Sequence, residues 1–167
     1  MSQDAPVPSS AALQPRALDT IVFGGLAIGI LDGLFAVIFY GVILGVPQIR
    51  IFQSVAAGLL GRASFEGGTR TYLLGIALHF IVATCIATVY FFLSRFLPFL
   101  IKHAVPSGLI YGVIAYFVMN YVVLPLSARG GPPAFSLRTS LPAIIGHAFL
   151  VGLPVALIAR WSARRSV

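Results

Sequence analysis

The stretch IVFGGLAIGILDGLFAVIFYGVILG at positions 21–45 decides the fold of this chain, and Asp32 is its only charged residue. An α-helix rises about 1.5 Å per residue, so a helix of this length crosses a hydrocarbon core of about 30 Å. The run lacks the alternation of apolar and polar positions that a strand of a membrane β-barrel requires. It therefore predicts a transmembrane α-helix.

Three further apolar runs follow the first one. They cover residues 72–94, 105–126 and 141–159, and each is long enough for one crossing. Hydrophobic residues make up 59% of the 167 residues, charged residues 9%, and the mean hydropathy is +1.00. These values exclude an ordinary soluble domain. The predicted fold is all-α, a polytopic membrane protein with four transmembrane helices in a bundle.

The segments around these spans complete the predicted organisation. Residues 1–19 are rich in Pro, Ser and Ala, which is typical of a mobile N-terminal tail. Residues 20–160 form the four-helix transmembrane domain, and residues 161–167 form a basic C-terminal tail. Between the first two spans, residues 48–63 carry apolar side chains at helical spacing with polar ones opposite, which predicts a short interfacial or re-entrant helix.

The basic residues give the predicted orientation. Six Lys and Arg residues lie on the side that holds both termini and five on the other. Trp161 and the basic run that includes it favour a cytoplasmic C-terminus, so both termini are expected in the cytoplasm. The net charge of +7 is expected to anchor the chain to the lipid bilayer through anionic headgroups. Because these charges are split between two sides, no nucleic-acid partner is predicted.

Each span contains one strongly polar residue: Asp32, His79, Asn120 or His147. An aspartate at a helix centre costs about 2.5–3.5 kcal/mol on insertion scales, so such residues turn toward a bundle interior or a wet cavity. Counted from the predicted span ends, the two histidines and Asn120 lie about 10 Å below the outer surface, as does Tyr40. Asp32 lies about two turns deeper. The sequence predicts an intramembrane polar cluster with Asp32 as its floor.

Small residues at four-residue spacing mark the predicted helix-packing faces. Such spacing lets helix backbones approach closely, within the bundle or against a second copy. The pattern predicts a homo-oligomer or a larger membrane complex. The candidate packing glycines are Gly25, Gly29, Gly33, Gly41 and Gly45 in the first span, and Gly108 and Gly112 in the third.

The polar cluster is compatible with several kinds of chemistry. His79 and His147 are candidates to ligate haem b or, with Asp32 and Asn120, a divalent metal. A proton path is a second possibility, because imidazole exchanges its proton near neutral pH. Hydrogen bonds that hold the helices together are a third, and a bound lipid or quinone is a fourth. The sequence prediction is no cofactor, with haem b or a divalent metal as the alternative.

Four sequence stretches carry a resemblance to known proteins: QSVAAGLLGRASFEGG at 53–68, LGIALHF at 74–80, MNYVVLPLS at 119–127 and GHAFLVGLP at 146–154. Over residues 20–160 the chain resembles a group of small, uncharacterised bacterial four-helix proteins of the inner membrane, loosely YagU-like. The resemblance implies a multi-pass protein of the bacterial inner (cytoplasmic) membrane. It implies no reaction, because the group has no agreed activity.

The expected function follows from what the sequence offers. It has no GxSxG, HExxH, P-loop or CxxC motif, so a non-enzymatic protein is predicted. The glycine faces favour an accessory or scaffold subunit that packs against itself or a larger complex. The first alternative is a proton- or ion-linked transporter or channel component that uses the intramembrane Asp, His and Asn cluster. The second is a haem- or metal-binding protein that uses the two histidines.

Overall fold

The computed structural model of the protein describes residues 14–165. Within that range every regular element is helical and no strand occurs, so the all-α prediction is confirmed. The helices are α1 (Asp19–Ile43), α2 (Gln48–Leu60), α3 (Gly68–Phe96), α4 (Phe99–Lys102), α5 (Ala104–Leu126) and α6 (Leu137–Arg164). A 3₁₀ turn, Gly61–Phe65, follows α2.

Four of these helices are long and apolar enough to cross a membrane. They are α1, α3, α5 and α6, with mean hydropathies of 1.9 to 2.3 in their most apolar windows. Helix α3 starts four residues before its predicted start, because α2 holds its first turn. The Gln53 Nε2 donates to the carbonyl of Gly68 at 3.1 Å and to the Thr71 Oγ1 at 3.2 Å. Polar contacts outside the apolar run therefore set this helix end.

The two ends of the described chain are fastened to each other, in contrast to the predicted tails. Pro15 is fully buried, and the backbone amide of Arg16 donates to the Ser162 Oγ at 2.8 Å. Helix α6 continues to Arg164, with Ser162 and Ala163 buried. Residues 14–19 and 161–165 therefore belong to the packed bundle. Residues 1–13 and 166–167 of the predicted tails lie outside the described residues.

Helix α2 occupies the place of the predicted short helix and packs directly on α3. A Cβ added to Gly75 would collide with the backbone carbonyl of Phe52, so the two helices touch through their backbones. Helix α2 buries Gln53 and Ala56 on one side and Ile51 on the other, whereas Leu59 and other residues near its C-terminal end are exposed. This contact makes α2 a lid over one end of the bundle.

The glycines of α1 pack against α3 within the chain. A Cβ on Gly25 would come within 2.8 Å of the Thr84 Oγ1, and one on Gly29 within 2.5 Å of the Phe80 ring. Gly33 lies against the imidazole of His79, with a Cβ separation of 3.3 Å. The close approach that the spacing predicts is thus made between two helices of one copy. The remaining glycine pair of this segment behaves differently.

Gly41 and Gly45 do not join long helices. Gly41 lies 3.4 Å, measured from an added Cβ, from the side chain of Ile51 in α2. Gly45 lies past the end of α1 with φ +69° and has no atom within 4 Å of an added Cβ. Its position requires the left-handed backbone conformation that glycine adopts without strain. Gly45 therefore ends the helix and makes no packing contact within the described bundle, and its packing against a second copy stays a prediction.

Helices α5 and α6 also touch through their backbones. A Cβ on Gly112 would collide with the carbonyl of His147, and one on Gly152 with the carbonyl of Gly108. Gly108 itself faces Gly152 and Ala156. This contact places the backbone of His147 against α5.

Candidate functional site

The four long helices, α2 and the connection between α5 and α6 line a cavity. It has two chambers, which we call the apolar chamber and the outer chamber. The apolar chamber has a volume of about 410 Å³ and the outer chamber about 430 Å³. Both are lined by the four predicted intramembrane residues Asp32, His79, Asn120 and His147, and by Arg129. The structure therefore brings the predicted polar residues together around one space.

The apolar chamber reaches toward the chain termini. Its floor is formed by Ile28, Ala83 and Val151, which also belong to the buried hydrophobic core. Beside the polar residues that it shares with the outer chamber, its wall is mainly aliphatic and includes Leu78, Val82, Ile86, Val123 and Leu124. Asp32 lies one helical turn above Ile28, on the wall and 3.8 Å from the His147 side chain, so the predicted two-turn depth below His147 is not found.

The depth prediction for Asp32 failed because two helices are longer than their apolar runs. Asp32 lies eleven residues before the end of α1 at Ile43. His79 lies eleven residues after the start of α3 at Gly68, and His147 ten residues after the start of α6 at Leu137. The three side chains are thus close to one level. Asn120, six residues before the end of α5, lies nearer the outer surface.

Asp32 and His147 face each other across the gap between α1 and α6. The Asp32 Oδ1 lies 3.8 Å from the His147 Nδ1, and their side chains keep 20% and 17% of their accessible surface. The His147 Nδ1 also lies 3.0 Å from the carbonyl oxygen of Ala143. A carbonyl only accepts, so this nitrogen carries a hydrogen and donates it. Tyr116 packs edge-on against the ring.

His79, on the opposite wall, is likewise held by a hydrogen bond from a ring nitrogen to a backbone carbonyl. Its Nε2 lies 3.0 Å from the carbonyl oxygen of Gly29 and donates to it. The ring contacts Phe52 and Phe80 edge-on, at centroid distances of 5.9 and 5.8 Å. Its Nδ1 makes no hydrogen bond within residues 14–165. Each histidine therefore uses one ring nitrogen to bond a backbone carbonyl.

Asn120 and Tyr40 complete the polar lining. The Asn120 Nδ2 donates to the carbonyl of Tyr116 at 2.9 Å, within its own helix. Tyr40 lines only the outer chamber and lies within electrostatic reach of Asp32 and Arg129. Neither side chain bonds a histidine among the described residues. The cross-helix bond expected from a structural cluster is made instead by His79 of α3 to the Gly29 carbonyl of α1.

Three of the lining residues lie in π-helical turns, which sequence reasoning missed. Tyr40 lies in Val37–Ile43, Asn120 in Met119–Val123, and His147 opens His147–Gly152. Such wider turns are frequent at functional sites. For α5 and α6 a signal exists, because Pro125 and Pro154 follow the π turns closely. A proline ring clashes with the carbonyl four residues earlier, and the wider turn relieves that clash.

Two arginines at the outer chamber were also missed as site residues. Arg129 lies in the connection between α5 and α6, which docks on α2 through a hydrogen bond from the Ala128 amide to the Gly58 carbonyl at 2.9 Å. Its guanidinium makes no hydrogen bond or ion pair within residues 14–165. Arg50 of α2 lines the outer chamber and donates to the Phe65 carbonyl at 3.2 Å.

The remaining comparisons bear on cofactors and relatives. Within residues 14–165, no three His, Cys, Asp or Glu side chains meet as a metal-binding group. Comparison with known proteins gives no matching family model, no similar curated protein and no similar solved structure. The geometry of the cavity is therefore the source of functional information.

Proposed function

We propose that this protein is a proton-linked carrier, or the carrier subunit of a larger complex, for a small amphipathic molecule. We place it in a bacterial inner membrane as a multi-pass protein with both termini in the cytoplasm. The observation that supports the carrier function is the pairing of Asp32 with His147 on the wall of a cavity inside the bundle. Of the functions predicted from the sequence, this geometry favours the transporter over the scaffold.

The energetic cost of Asp32 favours a functional over a structural role. An aspartate at the centre of a membrane helix costs about 2.5–3.5 kcal/mol, whereas a polar contact between membrane helices returns about 0.6 kcal/mol on average. The Asp32–His147 separation of 3.8 Å is longer than a hydrogen bond. A structural pair would be expected to close this gap. Intramembrane acidic and histidine residues that line a cavity are typical of proton relays.

Protonation changes the charge of this cavity wall in steps. With neutral imidazoles, the wall carries the Asp32 carboxylate below the guanidinium groups of Arg129 and Arg50. The two guanidiniums already outnumber the one carboxylate; a proton on His147 creates an ion pair with Asp32, and each proton on His147 or His79 adds one further positive charge. The other groups that face the pair are the hydroxyls of Tyr40 and Tyr116. Binding of a charged solute is therefore linked to proton uptake by these residues.

The test uses vesicles that contain the purified protein and a trapped pH dye. Octanesulfonate, octyltrimethylammonium or octanol is added outside, and the internal pH is followed. We expect a protein-dependent pH change with at least one charged probe, and we expect Asp32→Asn to abolish it. Glu66→Gln is the matched control, because Glu66 is an exposed acid that lines neither chamber. A wild-type pH change in the Asp32→Asn protein, or none with any probe, rejects the carrier function.

The scaffold role, the oligomer and the bound haem or metal stay predictions. The glycines Gly25, Gly29 and Gly33, which motivate the oligomer, already pack against α3 in one copy. A strict monomer in mild detergent, with no co-purifying partner, would remove the scaffold and complex predictions. A colourless preparation without bound metal would remove haem and metal. The loosely YagU-like resemblance likewise stays a prediction.

A further inference from the structure

We infer, resting on the proposed carrier function, that the molecule carried is a single-chain amphiphilic anion. Its apolar chain occupies the apolar chamber, and its carboxylate, sulfonate or phosphate head lies in the outer chamber against Arg129. The inference depends on three features of the cavity: the separation of apolar and polar walls, the sign of the charge at the outer chamber, and the free guanidinium of Arg129.

The two chambers differ in the chemistry they present. Below the level of Asp32, the apolar chamber offers aliphatic side chains such as Val82, Ile86 and Val151. The outer chamber adds Arg50, Tyr40 and other polar side chains. A molecule that fills both chambers must be apolar at one end and polar at the other. Small-molecule pockets span about 300–1,000 Å³, and the apolar chamber of about 410 Å³ lies at the small end, which suits one chain.

The permanent charges of the outer chamber favour an anion. Arg50 and Arg129 line it, and Asp32 is the only acidic residue among the described residues that does so. The Asp32 carboxylate faces His147 at the junction of the chambers. Two cations therefore face one carboxylate whose charge is offset whenever His147 is protonated. Proton uptake by the histidines strengthens the attraction for an anion. The proton and the anion are therefore carried across the membrane in the same direction.

Arg129 is the residue that we assign to the anionic head. Its guanidinium has no hydrogen-bond or ion-pair partner within residues 14–165, although its backbone is held by the Ser127 Oγ and the neighbouring Ala128 amide is bonded to α2. A planar guanidinium presents two parallel N–H donors that match a carboxylate, sulfonate or phosphate. Arg50, in contrast, already donates to Phe65 and stacks over its ring.

Binding is tested by equilibrium dialysis of labelled octanesulfonate against the full-length protein in phosphatidylcholine nanodiscs, with empty nanodiscs as the baseline. We expect saturable binding that Arg129→Gln weakens about tenfold or more, the loss of one charge-assisted hydrogen bond. Arg129→Lys should retain part of the affinity, because lysine keeps the positive charge but lacks the two parallel N–H donors of the guanidinium. Arg138→Gln is the matched control, since Arg138 is exposed and lines neither chamber; its affinity should stay within about twofold of the wild type, as for a surface change.

Competing probes decide the chemical class of the ligand. Octyltrimethylammonium that binds as tightly as octanesulfonate, or Arg129→Gln without effect, would overturn the inference. Phosphatidylglycerol that displaces octanesulfonate at equal concentration would also overturn it, because the site would then hold a two-chain lipid. If octyltrimethylammonium alone drives the Asp32-dependent pH change in vesicles, the carrier function stands and the anion inference fails. If octanesulfonate binds at Arg129 but moves no protons, the carrier function fails and the binding site stands.

Discussion

The two halves of the bundle are built from the same four helices but are packed differently. The half that holds the described chain ends, which we call the terminal half, is filled by a buried core of alanine and branched aliphatic residues around Tyr90. The hollow half, under α2, contains the cavity. The core residues are Ile28, Ala83, Ala87, Tyr90, Ile101, Ala104, Val151, Val155, Ala156, Ala159 and Ala163. The difference shows that these helices can close against each other, so the cavity needs a local cause.

The structure offers two local causes. Helix α2 packs through Phe52 against the backbone of α3 at Gly75, which adds a fifth element to the hollow half. Three of the four π turns among the described residues, Val37–Ile43, Met119–Val123 and His147–Gly152, also lie in this half or at its boundary, and a π turn widens a helix. The fourth, Asp19–Phe23, lies in the terminal half. Polar side chains then line the space that results. The cavity thus results from how these elements pack. Because the two halves are packed differently, the same substitution is expected to have a different effect in each.

The largest contrast is expected from alanine to phenylalanine. Ala87 is fully buried in the terminal half, 3.3 Å from the position of a Cβ on Gly24, so Ala87→Phe should destabilise the protein by about 3 kcal/mol or more through overpacking. Ala36 lines the outer chamber, so Ala36→Phe has space and should change stability by less than about 1 kcal/mol. Thermal unfolding in one detergent measures both.

The same pair of variants tests the ligand site. Ala36→Phe should abolish octanesulfonate binding in nanodiscs, because its ring occupies the outer chamber. An Ala36→Phe protein that unfolds as readily as Ala87→Phe would show that the hollow half is not hollow. A stable Ala36→Phe protein with unchanged binding would place the ligand elsewhere.

Glycine to alanine gives the next largest contrast. An added Cβ at Gly152 would collide with the carbonyl of Gly108, so α5 and α6 must separate and Gly152→Ala should cost about 1–3 kcal/mol. At Gly58 in α2 the nearest atom to an added Cβ is 3.9 Å away on Ser127. Gly58→Ala should be neutral or stabilising, since alanine is the better helix former. Equal melting temperatures for the two variants would contradict the close contact of α5 with α6.

Much of the fold was predictable from the sequence, for a physical reason. Four apolar runs must form helices because hydrocarbon leaves no other way to satisfy their backbone groups. The same constraint predicts that Asp32, His79, Asn120 and His147 face inward, and all four line the cavity. These inferences depend only on the residues within one segment, so they can be made from the sequence.

Features that depend on contacts between segments were not predictable. The ends of α3 and α6, and hence the depth of Asp32 relative to the histidines, depend on polar contacts such as that of Gln53 with Thr71. Arg129 and Arg138 lie in similar polar surroundings in the sequence, and only the docking of the connecting segment on Gly58 brings the first over the cavity. A one-dimensional pattern contains no information on that docking.

The smallest expected contrast is also the most specific, because it removes one oxygen atom. The Tyr111 hydroxyl, in the packed region, donates to the carbonyl of Ile86 at 2.7 Å, whereas the Tyr40 hydroxyl bonds no described residue and faces the outer chamber. A hydrogen bond between membrane helices is worth about 0.6 kcal/mol, so Tyr111→Phe should lower the unfolding free energy by that amount and Tyr40→Phe should not change it. Chemical denaturation of both variants in mixed micelles measures the difference. A larger loss for Tyr40→Phe would mean that its hydroxyl is bonded within the protein, and the outer chamber would then be part of the structural framework instead of a place for a ligand.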